Sequence, residues 1–570
     1  MRSTGTRGDR SNLPRPDVIT LCSGREQTSP LPTLIGNLWR LGRAGITLAQ
    51  HGVSFAPKGA PAPLILHLAR AATLPIRLVT WPFRIGQPKE TRIATALAKL
   101  GPSYIKLGQF LATRADLIGD ELARDLRHLQ DRLPPFSMAE ARRAVEDALG
   151  GRLEDHFVEF GPPVAAASIA QVHKAVVLEK DGTRRTVAVK ILRPGIERQF
   201  QRDLSSYFLV ARLIERFHAP TRRLRPVAVV SILEDTTELE LDLRLEAAAI
   251  SEMADNIVAD KTLPDGDFRV PTVDWRRTAK RVLTLEWIDG IGIGDKPALE
   301  AAGHDLRRLG LTVLRSFLRH AIRDGFFHSD MHQGNLLVDR RGTIVAVDFG
   351  IMGRLGAKER RFLAEILHGL VTRDYMRAAE VHFWAGYVPP HHAVETFAQA
   401  LRAIGEPIHG RSAEEISMAD LLGQLFAYTD VFDMETRPEL INLQKTMVVV
   451  EGVARGLDRS LDIWAAAEPI AREWVEANLG AAGALKDARE GAGEVGRVLS
   501  EAPMFLARAE RALGAMAEMA RDGLRLDEHS ITRLAAEQTR RTRSERIALW
   551  IGALALVLIA ALLATGLFSP

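Results

Sequence analysis

A single cysteine, Cys22, stands among 570 residues. Intramolecular disulfides and multi-cysteine metal centres are thereby excluded, as suits a reducing compartment. Excess charge is also missing: 75 basic residues face 71 acidic ones and leave a net charge of +4. That balance gives no support to binding nucleic acid. The polar N-terminus, MRSTGTRGDRSNLPRP, lacks the apolar core of a secretory signal, and no internal repeat is visible. What is present belongs to a folded chain, with 46% hydrophobic and 26% charged residues, too apolar for extended disorder. The length exceeds what one hydrophobic core usually serves, so a catalytic domain with appendages is expected.

Residues 547–568, IALWIGALALVLIAALLATGLF, carry no charge and reach the roughly 20 residues that a bilayer crossing takes. Arg540, Arg541, Arg543 and Arg546 precede them; such a cluster keeps the preceding domain cytosolic and suits anionic head groups. One transmembrane helix, anchoring the chain single-pass in the inner (cytoplasmic) membrane, is the expectation; a buried core helix is the alternative. Residues 1–32 read as flexible, 33–89 as short amphipathic helices, and 90–136 as a small helical unit broken at Gly101-Pro102. Ser137 and Glu140 have the form of a capping box for a helix ending at Gly150-Gly151. Strand patterns over 171–178 and 186–192 flank a turn at Lys180-Asp181-Gly182. Helical patterns at 194–218 and 226–257 and strands near 268–274 and 281–287 complete a sheet-bearing lobe, 137–290. A helical lobe follows over 291–480, interrupted near 327–349, then a connector, 481–546.

The chemistry concentrates in HSDMHQGN, holding His328, Asp330 and Asn335, followed by a hairpin and the triplet Asp348-Phe349-Gly350. An aspartate, an asparagine five residues on and a later Asp-Phe-Gly form the catalytic-loop and metal-loop arrangement of protein kinases. Phosphoryl transfer needs a carboxylate near the incoming hydroxyl (Asp330), an amide oxygen on Mg²⁺ (Asn335) and a carboxylate holding metal against the phosphates of ATP (Asp348). His328 and His332 also permit a zinc or iron reading, although His328 is more simply a loop brace. Upstream, Val187-Ala188-Val189-Lys190 is the strand-borne lysine motif. Its counter-charge is sought among Glu240, Asp242 and Glu246, and Glu286 stands where a kinase hinge meets adenine.

Two kinase features are missing. The loop before the lysine strand, Val164, Ala165, Ala166, Ala167, Ser168, Ile169, Ala170, Gln171 and Val172, contains no glycine, and alanine methyls hinder close approach to phosphates. Ser168 offers a hydroxyl there instead. Between Gly350 and a helix near Ala357 there is also no room for an activation segment, which disfavours a protein substrate.

With the alanine-rich loop, the lysine strand, HSDMHQGN and Asp-Phe-Gly, a further motif, Lys106-Leu107-Gly108-Gln109, completes the set. Together they resemble the UbiB/AarF family of atypical kinases, which support ubiquinone biosynthesis. The likeness runs from about residue 90 to beyond 350. It implies an α+β, protein-kinase-like bilobal fold, mostly helical, with an N-terminal helical extension that places Lys106 and Gln109 at the active site. Lys106 is then expected near Glu240 and Asp242, and Lys190 paired with Glu246. The resemblance also implies Mg-ATP as cofactor, membrane lipids or quinone precursors as partners together with quinone-biosynthesis enzymes, and weak protein-kinase activity. A nucleotide-sensing scaffold without catalysis is the alternative function, a true protein kinase a third. The resemblance implies two C-terminal membrane helices in many bacterial members, whereas one such stretch is found here.

Overall fold

The computed structural model describes residues 30–51, 89–112, 133–217, 225–260, 266–409 and 438–479, with isolated positions within 118–129 and 428–434. The connector at 481–546 and the membrane-spanning reading of 547–568 lie outside the described residues, as does 52–88. Among the described residues no helix is long and apolar enough to cross a membrane. Residues up to Val475 form one compact unit, and the site lies within it.

The first described helix is α1 (Pro30–Gln50). Asn37 and Arg40 of α1 bind the Ser205 and Ser206 hydroxyls. Two further helices, α2 (Lys89–Leu100) and α3 (Pro102–Ala112), meet at Gly101, whose φ of +112° only glycine adopts readily. The predicted capping box is present on α4 (Met138–Leu149): Glu140 N–H donates to Ser137 Oγ, and Ser137 N–H to the Glu140 carboxylate.

The four-stranded sheet has the order β1-β2-β3-β5, with β1 (Glu159–Ala166), β2 (Ala170–Leu178), β3 (Arg184–Leu192), a short β4 (Phe268–Arg269) that belongs elsewhere, and β5 (Val282–Glu286). All neighbours are antiparallel. Alternation along β3 sends Val187, Val189 and Ile191 into a fully buried layer with Val282 and with Ala141, Ala144 and Val145 of α4. Burying each aliphatic side chain of that layer contributes about 2 kcal/mol. The same period of two turns Lys190 to the opposite face.

Crossing helices follow β3: α5 (Ile196–Phe217), α6 (Pro226–Glu240) and α7 (Leu243–Ala259). The single helix expected over 226–257 is thus two, broken at Leu241-Asp242. Asp242 caps α7 by accepting from Arg244 N–H at 3.1 Å, and this breaks the helical register. The strand expected at 268–274 is only β4 plus a bridge from Val273 to Leu285.

The helical lobe is built on α8 (Leu306–Arg319) and a π-helical turn at His320–Asp324. Between lobes run β6 (Gly290–Gly292), β7 (Phe326–His328), β8 (Leu336–Asp339), β9 (Ile344–Ala346) and β10 (Met352–Arg354). They form a β4-β9-β8-β6 sheet and a β7-β10 pair. Helices α9 (Ala357–Val371), α10 (Tyr375–Trp384), α11 (Val394–His409), α12 (Pro438–Leu457) and α13 (Ile463–Leu479) complete the lobe. A second core of Tyr375, Ala378, Phe397, Leu401 and Phe432 joins α10 to α11.

Candidate functional site

The hairpin β8-β9 pairs Leu336 with Ala346 and sets two loops side by side. Asn335 O accepts from Val347 N–H at 2.8 Å, and Ile351 O from Ser329 N–H at 3.1 Å. Met352 pairs with His328 across β10 and β7. The loop carrying Asp330 is therefore stitched to the loop carrying Asp348 by main-chain bonds on both sides.

Lys190 reaches both lobes. Its Nζ lies 2.9 Å from each carboxylate oxygen of Glu246 on α7 and 3.1 Å from Oδ1 of Asp348. Of the three carboxylates considered as its counter-charge, Glu246 is the one in ion pair with it. Oε1 of Glu246 also accepts from Phe349 N–H at 3.4 Å, so one buried carboxylate spans the lysine strand and the Asp-Phe-Gly turn. Burial pulls the Lys190 pKa down, but the charges of Asp348 and Glu246 outweigh it and push it up. Lys190 beside Asp348 holds that carboxyl down at about 2. Burial raises the Glu246 pKa against the pull of Lys190. Asp348 adopts φ 66°, the left-handed region uncommon outside glycine, and its side chain is 52% exposed.

Asp330 is part-exposed, and its N–H donates to Nδ1 of His328 at 3.0 Å. His328 is buried against the Phe349 ring at 4.9 Å, and burial lowers its pKa. Its Nδ1 is taken by the loop's own amide, as Nδ1 of His332 is by Gly334 N–H at 2.9 Å. Both bonds favour loop bracing over a zinc or iron centre. Asn335 donates through Nδ2 to Asp330 O at 3.0 Å, which leaves the amide oxygen as the acceptor end of that side chain. An amide oxygen and an ionised carboxylate are hard donors of the kind Mg²⁺ takes, so the residues fit that ion.

The glycine-free loop is the tip of the β1-β2 hairpin. Ala167 N–H donates to Ala170 O at 2.8 Å, and Ile169 O accepts from Arg193 N–H at 2.8 Å. The Arg193 guanidinium holds Ala167 O at 3.0 Å and Pro134 O at 2.9 Å. Val172 stands opposite Lys190 in the register, and Val164 and Ala165 are exposed. One assignment needs correction. Ser168 is fully buried, so its hydroxyl is not presented to a phosphate. Gln171 is buried too, its amide bonded to Phe136 N–H at 2.9 Å and facing His173 at 2.8 Å. Glu286 ends β5 as expected, but Arg269 holds its carboxylate at 3.0 Å through both oxygens.

Lys106 of α3 makes an ion pair of 2.6 Å with Glu240 at the end of α6. Asp242 holds the Arg244 guanidinium at 2.6 and 2.9 Å. Gln109, one turn beyond Lys106, is half-buried. Sequence reading missed Asn442 and Thr446 of α12. Asn442 Nδ2 donates to Ser329 Oγ at 2.9 Å, and the buried Thr446 hydroxyl lies 3.0 Å from Ser329 O. Nothing in a helical run so distant from Ser329 signals that contact.

A strand lysine paired with a helix glutamate and with the Asp-Phe-Gly aspartate, and an Asp330 loop stitched alongside, define a protein-kinase-like chain. It is atypical in having no glycine in the loop at the tip of its first hairpin, residues 164–172, and only β10 between Gly350 and α9. The sequence matches the ABC1 atypical kinase-like domain over residues 128–382 and the UbiB helical domain over 401–462. It is 41% identical over 408 residues to "Probable protein kinase UbiB" of Marinobacter nauticus, spanning 70% of this chain and 73% of that one. The protein of the same name from Xanthomonas campestris pv. campestris is 39% identical over 445 residues, 76% of this chain and 77% of the relative. A solved structure titled as the Rv3197–erythromycin complex from Mycobacterium tuberculosis shares 26% identity and aligns with a TM-score of 0.44 over 70% of this chain and 97% of that one. The chain belongs to the UbiB family of atypical kinase-like proteins.

Proposed function

We propose that this chain binds Mg-ATP in the cleft and hydrolyses it, or transfers its phosphoryl group, at the cytosolic face of the inner membrane in support of ubiquinone biosynthesis. The observation that carries the reading is Lys190, held within 3.1 Å of both Glu246 and Asp348. When bound, Mg-ATP supplies the transferable phosphoryl group and a cation that screens its charge. Lys190, kept cationic by two carboxylates, offers its ammonium to phosphate oxygens. Asp348, ionised throughout the physiological range, and the Asn335 amide oxygen hold the cation. Asp330, part-exposed beside them, takes the proton of the attacking hydroxyl or water. The pinned hairpin tip and the short stretch after Gly350 leave little to dock a polypeptide, which favours water, a quinone precursor or another membrane lipid as acceptor. The run at 547–568 with its preceding arginines supports a membrane location.

The test combines two readings on full-length protein in liposomes and in a deletion strain. Asp330→Asn should abolish ATP hydrolysis and leave an early quinone precursor to accumulate. Parental hydrolysis by Asp330→Asn would refute catalysis at this site. A second reading, a nucleotide-sensing scaffold for quinone-biosynthesis enzymes, is favoured by the glycine-free hairpin tip held by Arg193. It predicts that Asp330→Ala still complements the deletion strain.

A further inference from the structure

His391 and His392 play no part in the nucleotide site. They follow Pro389-Pro390 between α10 and α11, and both turn Nε2 towards one oxygen, Oδ2 of Asp433, at 3.3 Å each. The three ligand atoms all lie within 4.8 Å of one another; among the described residues no other trio of histidine, cysteine or carboxylate side chains does so. A charge-assisted N–H···O bond is usually about 2.7–2.9 Å long, so 3.3 Å is long for a pair of hydrogen bonds. It also matches the separation of donors at tetrahedral corners: metal–ligand bonds of about 2.05 Å set those corners about 3.3 Å apart.

The donors are also held in place. The His392 ring meets Phe432 edge-on at 5.3 Å, and Phe432 packs on Phe397 at 4.9 Å in the α10-α11 core. The two imidazoles lie 4.1 Å apart. Asp433 sits at φ 48°, a left-handed conformation uncommon for a residue with a Cβ, and it aims its carboxylate back across 41 positions of sequence. The side chains of His391 and Asp433 are 63% and 65% exposed, which leaves the remaining coordination positions to water.

We propose that His391, His392 and Asp433 form a binding site for a divalent transition metal, with zinc the best match to two imidazoles and one carboxylate in tetrahedral arrangement. The ion closes a clamp between the turn after α10 and the turn before α12, the helix whose Asn442 and Thr446 hold Ser329 of the catalytic loop.

The full-length protein in detergent, stripped with chelator and dialysed, is titrated with Zn²⁺ against a chromophoric chelator, and Co²⁺ is used to read ligand geometry from its visible absorption. One Zn²⁺ per chain is expected, with at least about tenfold weaker binding in His392→Ala and in Asp433→Asn. His391→Ala, altering a mostly exposed ring, provides a variant whose fold is not at risk, and it should lose affinity alike. Zinc should raise the melting temperature of the parent but not of Asp433→Asn. His332→Ala should bind zinc as the parent does. Absence of stoichiometric zinc binding by the parent overturns the proposal. So does affinity unchanged in all three variants, or affinity lost in His332→Ala and kept in His392→Ala.

Discussion

Lys106 Nζ lies 2.6 Å from Glu240 Oε2, with the two side chains only 16% and 8% exposed. The contact fastens the N-terminal helical extension to the helix just before the break at Leu241-Asp242. A shielded ion pair is costly to break by halves, because the remaining charge loses its partner. Lys106→Ala should destabilise the chain by about 3 kcal/mol, read from denaturant unfolding. The double change Lys106→Met with Glu240→Leu should recover most of the loss. Single and double variants equally unstable would show that the pair is not what holds α3 in place.

Gly108 stands between these charges and the core. A Cβ there would meet Leu129 Cδ1 at 2.6 Å and Leu97 Cδ1 at 2.8 Å. Gly108→Ala should therefore overpack α3 and cost about 1–3 kcal/mol. A melting temperature equal to the parent's would contradict the tight contact.

Arg193 tests the hairpin tip. With Ala167 O and Pro134 O no longer held, Arg193→Ala should speed amide exchange at residues 167–170. Losing a pre-organised loop should also weaken ATP binding several-fold. Unchanged exchange there would remove Arg193 from the account of the glycine-free loop.

Acid should unfold the protein through its buried histidines. Burial drives the pKa of His320 down to about 3 and that of His382 down to about 4. An imidazole whose folded value lies below the unfolded 6.5 gains its proton only on unfolding. Its contribution is thus intact above about pH 6.5 and is lost as pH falls towards the folded value. By pH 5 each such group costs about 2 kcal/mol. His382 gives Nδ1 to Ala378 O at 2.7 Å. His382→Gln should flatten the fall in stability from pH 7 to pH 5, and parallel curves for parent and variant would count against this origin.

Local chemistry made much of the site readable. The capping box at Ser137 and the alternation around Lys190 act over a few residues, and both stand where the pattern puts them. The Asp330, Asn335 and Asp348 loops were legible because their spacing already encodes the β8-β9 hairpin. Tertiary effects were not legible. The strand β1 holds Pro162 and Pro163, which argue against a strand unless it lies at an edge, and β1 is the edge of its sheet. The break at Leu241-Asp242 carries no glycine or proline, so periodicity ran through it. The Ser168 hydroxyl is assigned to a phosphate from its chemistry, and packing in the interior decides otherwise.

The most direct test of a Mg-nucleotide cluster around Lys190 and Asp348 is a calorimetric titration of the full-length parent and of Asp348→Asn with ATP, each with and without Mg²⁺. The parent should bind ATP at least about tenfold more tightly with Mg²⁺, and Asp348→Asn should show no such gain, since it removes the carboxylate that faces the cation. An equal Mg²⁺ gain in both proteins would contradict the assignment of Asp348, and with it the placement of nucleotide beside Lys190.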